Sequence, residues 1–210
     1  MEKRPTKERL IQTANELIGQ ATYSTVSVAE ICAAADVHKG SFYHHFPSKV
    51  DLAIAAIDTY FEENTCDWNA LCSSSIPPLK RLIKICDYVV EKASEETAES
   101  GHFVGCPLTS LGAEMAGEDG EEARLAKRCR EADNVFLEYW KSSVRDIAAE
   151  GYLKEGEDLD QIARFLHTFM AGHMMLAKVH NSIEIFEKDL KKGMFRILGI
   201  SLDEIEKQEQ

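Results

Sequence analysis

No run of about 18 or more apolar residues occurs in the 210-residue chain, which argues against a membrane-spanning helix. The opening Met1-Glu2-Lys3-Arg4-Pro5 leads into polar, charged sequence with no apolar core, so no export signal is expected and a cytoplasmic location follows. The six cysteines (Cys32, Cys66, Cys72, Cys86, Cys106 and Cys129) include no Cys-x-x-Cys pair. That spacing lacks the short paired ligands of a structural zinc site, and without export the cysteines read as thiols, not as a disulfide framework. Enzymatic signatures are missing too: there is no nucleophile elbow, Gly-rich phosphate loop, His-Glu-x-x-His pair or obvious carboxylate pair. No enzyme, cofactor or resident metal is expected. A strand pattern and an internal repeat are also absent, which leaves an all-α chain.

The hydrophobic content of 44% is enough for a sizeable core. Net charge is −12, an odd balance for a chain that would bind a polyanion, but it is unevenly spread. Residues 1–50 carry six Lys/Arg against five Asp/Glu, so this head stands at +1 and the remaining 160 residues at −13. An acidic body repels DNA and leaves the locally basic head as the contact surface.

Apolar periodicity predicts about nine helices. Leu10, Ile11, Ala14, Leu17 and Ile18 form the stripe of a first helix, with Thr6 as its N-cap and Gly19 at its fraying end. Ser27-Val28-Ala29-Glu30 is a capping box for a second helix that stops near Ala34 or Ala35. After a break at Asp36-Val37, a short third helix spans roughly His38 to His45. Pro47-Ser48 closes it, and Ser48 caps a longer helix that starts at Lys49 with Asp51 in its first turn. Longer helices follow at about 49–70, 78–97, 107–116, 120–150, 158–181 and 184–198, and Glu204 to Gln210 read as a solvated tail.

Two short helices joined by a tight turn and followed by a long one make a helix-turn-helix. Val28, Ile31, Val37, Phe42 and Phe46 supply its small core. The third helix is the candidate reader. Lys39 offers a long cation, Gly40 permits close backbone approach, Ser41 adds a small hydroxyl, and Tyr43, His44 and Lys49 can donate to phosphates. Ser27 sits where it can touch a phosphate as well as cap its helix. Thr25-Val26-Ser27-Val28-Ala29-Glu30-Ile31 and Val37-His38-Lys39-Gly40-Ser41-Phe42-Tyr43-His44-His45-Phe46-Pro47-Ser48-Lys49 resemble the tetracycline-repressor (TetR) family. The resemblance implies an all-helical homodimer, with a helix-turn-helix domain over 1–50 and a helical effector-binding and dimerisation domain over 51–210. It also implies repression: the dimer binds double-stranded, palindromic operator DNA and is released by an inducer. Two positions depart from the family pattern. Asp36 replaces the usual turn glycine, a place where Asp tolerates a left-handed backbone, and His38 replaces a small capping hydroxyl.

In the family picture the helices near 158–181 and 184–198 pair with their copies to form the homodimer. Ile162, Phe165, Leu166, Phe169, Met170, Met174 and Leu176 give one broad apolar surface. Phe186, Leu190, Met194, Ile197 and Leu198 give another, and Gly172 allows close approach. Cys106, between Gly105 and the helix-starting Pro107, is the sharpest sensing candidate. A thiol at a helix N-terminus faces unpaired amides and the positive end of the helix dipole, which favour the thiolate. The segment Gly101 to Leu108 is similar to that of TetR-family members that respond to electrophiles or oxidants. If Cys106 is only a packed residue, a reversible small molecule is the inducer, with Trp68, Phe103, Trp140, His167, Met170 and His173 as candidate pocket residues. Two alternatives stand beside this reading. One is a metal-sensing regulator, should His102, Cys106, His167 and His173 converge. The other is a helical interaction module that does not bind DNA.

Overall fold

The computed structural model describes residues 4–201, so Glu204 to Gln210 lie outside the described residues. Among these residues it contains nine α-helices and no strand: α1 (Thr6–Gln20), α2 (Val28–Ala34), α3 (Lys39–His45), α4 (Lys49–Leu71), α5 (Pro78–Ser100), α6 (Pro107–Glu114), α7 (Glu122–Ala149), α8 (Leu159–His180) and α9 (Glu184–Ile197). The all-α class and helix number are those expected.

Helix ends differ where local chemistry overrides composition. Pro5, extended at φ −53°, precedes α1, so Thr6 is its first residue and not its cap, and Gly19 lies inside the helix. Helix α5 runs three residues past the expected 97. Its polar end survives because the Thr97 and Ser100 hydroxyls donate back to the Ala93 and Glu96 carbonyls, and left-handed Gly101 (φ 78°) then stops it. Gly120, at φ 69°, delays the start of α7 to Glu122.

The chain folds as two compact units. The first holds the described residues through Thr65 together with Pro107–Asp133; the second holds Cys66–Cys106 and the described residues from Asn134 onward. The first unit recruits α6 and the start of α7 through polar ties. Arg124 pairs with Asp51 at 2.8 Å, Arg128 pairs with Asp58 at 2.5 Å, and Glu114 holds the loop between α1 and α2. Such ties join residues far apart in sequence, so no local pattern announces them.

The second unit is built around Leu82, Ile85, Cys86, Trp140, Val144, Leu166, Phe186 and Leu190, all essentially inaccessible. Burial pushes the Cys86 thiol up to about 12, so it stays protonated and packs as a small hydrophobe. Arg81 is buried, donating 2.8 Å to the Ile76 carbonyl and pairing with Asp146 at 2.6 Å, which pins the turn before α5 to α7. Helices α8 and α9 pack closely because the Phe169 ring occupies the space where a Cβ on Gly193 would lie.

The apolar residues of α8 and α9 are divided differently from the expectation. Leu166 and Met170 face the core with Ala163 and Ala177, as do Phe186, Leu190 and Met194 of α9 and Leu198 just after it. What α8 leaves outside is a narrower stripe: Phe165 (54% exposed), half-buried Phe169, Gly172, Leu176 (50%) and Val179 (69%). Their spacing alternates four and three residues, the period of a helix-pairing seam. Nothing lies within 4 Å of the point where a Gly172 Cβ would sit.

Candidate nucleic-acid interface

The reading head is held together by local hydrogen bonds that its sequence specifies. Ser27 Oγ accepts from the Glu30 amide at 3.2 Å, and Glu30 returns the bond to the Ser27 amide at 2.7 Å. Hydrogen bonding from the Ser27 side chain and then from its amide holds the Glu30 carboxyl below its usual range. Helix α2 ends in a Schellman turn. Asp36 is left-handed at φ 51°, its amide bonds to the Ala33 carbonyl, and the Val37 amide reaches the Cys32 carbonyl at 2.9 Å. Arg9 donates to the Asp36 carbonyl at 2.9 Å, tying the turn to α1. Asp therefore fills the glycine position of the turn. His38 opens α3 with an extended backbone and no side-chain cap, the outcome expected from its departure from a small hydroxyl.

Leu10, Ala14, Ile31 and Phe42 are fully buried in the head's core, with Val26, Phe46 and Leu52 around them. Phe42 is the one buried residue of α3. Lys39, Gly40, Ser41, Tyr43 (51%), His44 and His45 are therefore exposed on one short helix anchored by a single ring. A long cation, a hydroxyl, a phenol and imidazoles on such a helix are donors for phosphate oxygens and base edges.

Lys49 has partners within the head. Its ammonium donates to the carbonyls of Tyr23 at 2.8 Å and Val26 at 3.0 Å and stands 4.0 Å over the Tyr23 ring. Two of its three donors are thus spent inside the head, and burial pulls its pKa below the usual lysine range. Lys49 braces the loop before α2. Burial, helped by Glu122, Glu121 and Glu114, raises the Tyr23 phenol to about 12.

Known proteins bear on this head directly. Residues 10–56 match the family model described as bacterial regulatory proteins, tetR family. Residues 78–191, more than half of the chain, match the tetracyclin repressor-like C-terminal domain. The chain belongs to the TetR family. Its relatives include the transcriptional regulator AcuR of Cereibacter sphaeroides, 33% identical over 179 residues that cover 82% of this chain and 76% of AcuR. The transcriptional repressor NemR of Escherichia coli is 26% identical, covering 88% of this chain and 90% of NemR. A TetR-family regulator from Agrobacterium tumefaciens shares the fold at a TM-score of 0.80 and 19% identity, covering 94% of this chain and 99% of that one. TetR-family regulators bind operator DNA and act as dimers, and this chain is a DNA-binding transcription regulator of that kind.

The residues nominated for sensing are divided between the core of the second unit and its half-buried periphery. Trp68, Phe103, Trp140 and Met170 are buried in the core of the second unit. Trp68 meets Trp140 edge-on at 5.4 Å, while Phe103 packs on Phe186 at 6.0 Å. His167 is half-buried, and the His173 ring lies tilted against Phe169 at 4.2 Å, beside the exposed stripe of α8. Cys106 is half-buried directly before α6. Its loop is fixed on both sides: Phe103 N–H donates to Asn181 Oδ1 at 2.9 Å, and left-handed Gly105 (φ 74°) lies against the Lys178 stem. A groove of about 620 Å³ between α5 and α9 is lined by Cys86, Val90, Glu91, Glu95 and Lys191 among others, and holds none of the nominated residues. Among the described residues, no three His, Cys, Asp or Glu side chains are gathered to hold a metal, so His102, Cys106, His167 and His173 do not converge. No helix among them is long and apolar enough to cross a membrane.

Proposed function

We propose that this chain is a dimeric repressor that reads a palindromic operator with α3 and is released by a small-molecule effector or by modification of Cys106. The observation that carries the reading is the display on α3. Phe42 is sunk in the head's core, and Lys39, Gly40, Ser41, Tyr43 and His44 stand free around it. Lys39 and Ser41, in the first turn, approach base edges; Gly40 lets the backbone come close; Tyr43 and His44 fix register on phosphates. Ser27 serves chiefly as the cap of α2, and Lys49 as a brace. The α8 stripe of Phe165, Phe169, Gly172, Leu176 and Val179 pairs with its copy about a two-fold axis. The two heads then address half-sites about one DNA turn, roughly 34–36 Å, apart. An effector favours a dimer whose heads no longer match successive major grooves.

Release is tested by a mobility shift on the region upstream of the chain's own gene, with and without N-ethylmaleimide. A shift that vanishes on alkylation and persists in Cys106→Ser supports repression by a thiol switch. A shift indifferent to alkylation assigns release to a reversible ligand and removes Cys106 from the mechanism.

A further inference from the structure

The loop between α1 and α2 is gripped from both sides. The carboxylate of Glu114, the last residue of α6, accepts three bonds from two consecutive loop residues. Tyr23 N–H donates to one oxygen at 2.9 Å, and Ser24 N–H and Ser24 Oγ donate to the other at 2.8 and 2.6 Å. The hydrogen bonds from Ser24 and Tyr23 hold this carboxyl below its usual range despite its partial burial. From α4, Lys49 takes the carbonyls of Tyr23 and Val26. Between these two charges the backbone of residues 23–26 has both its N–H and its C=O directions fixed. The next residue, Ser27, caps α2, and α2 leads through the Schellman turn to α3.

We infer that Glu114 is a positioning residue for operator binding: its carboxylate sets the pitch of α2, and hence of α3, from the far end of α6. Glu114 does not touch DNA. It acts on the helix-turn-helix through backbone amides some 90 residues away in sequence, with charge-assisted bonds of the stronger kind. Helix α6 is eight residues long, about 12 Å by helical rise, and follows Cys106 without a break. Any axial shift of α6 must therefore either drag the Tyr23–Ser24 backbone or break the clasp. The inference rests on the DNA-reading role proposed for α3.

The test uses the full-length dimer. A duplex selected by the wild-type protein from a random pool serves as operator, and a scrambled duplex of equal length as the non-specific control. Glu114→Ala is expected to weaken operator binding about tenfold or more, to leave binding of the scrambled duplex and the melting of the second unit essentially unchanged, and to speed amide exchange at Tyr23 and Ser24. Glu114→Gln keeps the side-chain shape but sets an amide donor against a backbone donor, so it falls between wild type and alanine. Ser24→Ala loses only the hydroxyl arm and weakens binding two- to threefold, and combined with Glu114→Ala it adds nothing further. Faster exchange at Tyr23 and Ser24 with unaltered operator affinity would overturn the inference. So would an equal loss on both duplexes, since that marks a general loss of head stability. If the wild-type protein selects no duplex, the DNA-reading role itself fails and the positioning role goes with it; operator binding equal in wild type and Glu114→Ala defeats the positioning role alone.

Discussion

The head shows the side chains proposed to read DNA and hides one anchor, whereas the second unit buries most of the large side chains that chemistry would nominate. On α3, Phe42 is inaccessible and Lys39, Gly40, Ser41, Tyr43 and His44 face outward. In the second unit Trp68, Phe103, Trp140 and Met170 are core, and Phe165, Leu176 and Val179 of the α8 stripe are exposed, as are the scattered Val135, Tyr152 and Ile185. A surface that meets DNA has to be convex and polar, so its residues are readable one helix at a time. A surface that meets a small molecule or a second copy is assembled from several helices and looks, in sequence, like any other hydrophobic stripe.

The largest expected effect that separates the regions comes from Phe42→Ala. Removing a fully buried ring costs about 3–5 kcal/mol, and the head has few other large side chains to share the loss. Operator binding should vanish while the helices of the second unit keep their melting transition. Separate thermal transitions by circular dichroism and calorimetry check this; a single transition lowered as a whole would erase the distinction between regions.

Next is the α8 stripe. Leu176→Asp puts a charge at the centre of the proposed seam on a residue already half exposed, so the monomer should fold normally. Sedimentation equilibrium should show a shift from dimer to monomer. Operator affinity should drop by at least tenfold, as two heads are no longer linked. The core-facing Leu166→Asp, by contrast, should unfold the unit.

The head was legible because its signals are local. Ser27 with Glu30, Asp36 in the left-handed turn, and Ser48 with Asp51 each specify a backbone geometry within a few residues, and each is formed as expected. The α5 end and the role of Lys49 were not legible, because they depend on hydroxyl back-bonding and on carbonyls more than 20 residues away. Glu114, Arg124 and Arg128 carried no signal at all. A carboxylate ending one helix and two arginines on another are ordinary surface residues until the fold brings them to Tyr23, Ser24, Asp51 and Asp58. The α8 stripe was partly legible: Phe165, Phe169, Gly172 and Leu176 were named and Val179 was not, because a single helix cannot say which of two adjacent apolar faces meets its own core.

A smaller effect is expected from the cap. Ser27→Ala removes the acceptor for the Glu30 amide and should lower the stability of the head by about 1 kcal/mol, leaving the second unit untouched. Denaturant titration with a probe in each unit would show it.

The smallest concerns pH. Bonds from Ser48 and Arg124 hold the Asp51 carboxyl below its ordinary 3.8. A depressed carboxyl stabilises the fold above its unfolded pKa, and that contribution fades as the pH falls toward its folded value. Asp51→Asn should therefore cost about 0.5 kcal/mol at pH 7, because Arg124 is half exposed to solvent, and progressively less as the pH falls below 3.8. Stability measured from pH 3 to pH 7 should show the two proteins converging at the acid end; parallel curves would mean that the ion pair adds nothing to the head.

The central claim is that α3 reads operator DNA, and the most direct measurement is binding of Lys39→Ala and Tyr43→Ala to a duplex selected by the wild-type dimer. Both side chains are exposed, so neither substitution should change melting. Lys39→Ala should lose roughly tenfold or more and relax the sequence preference at one position of each half-site, while Tyr43→Ala should weaken binding without changing the preferred sequence. Wild-type affinity in both variants would contradict the account.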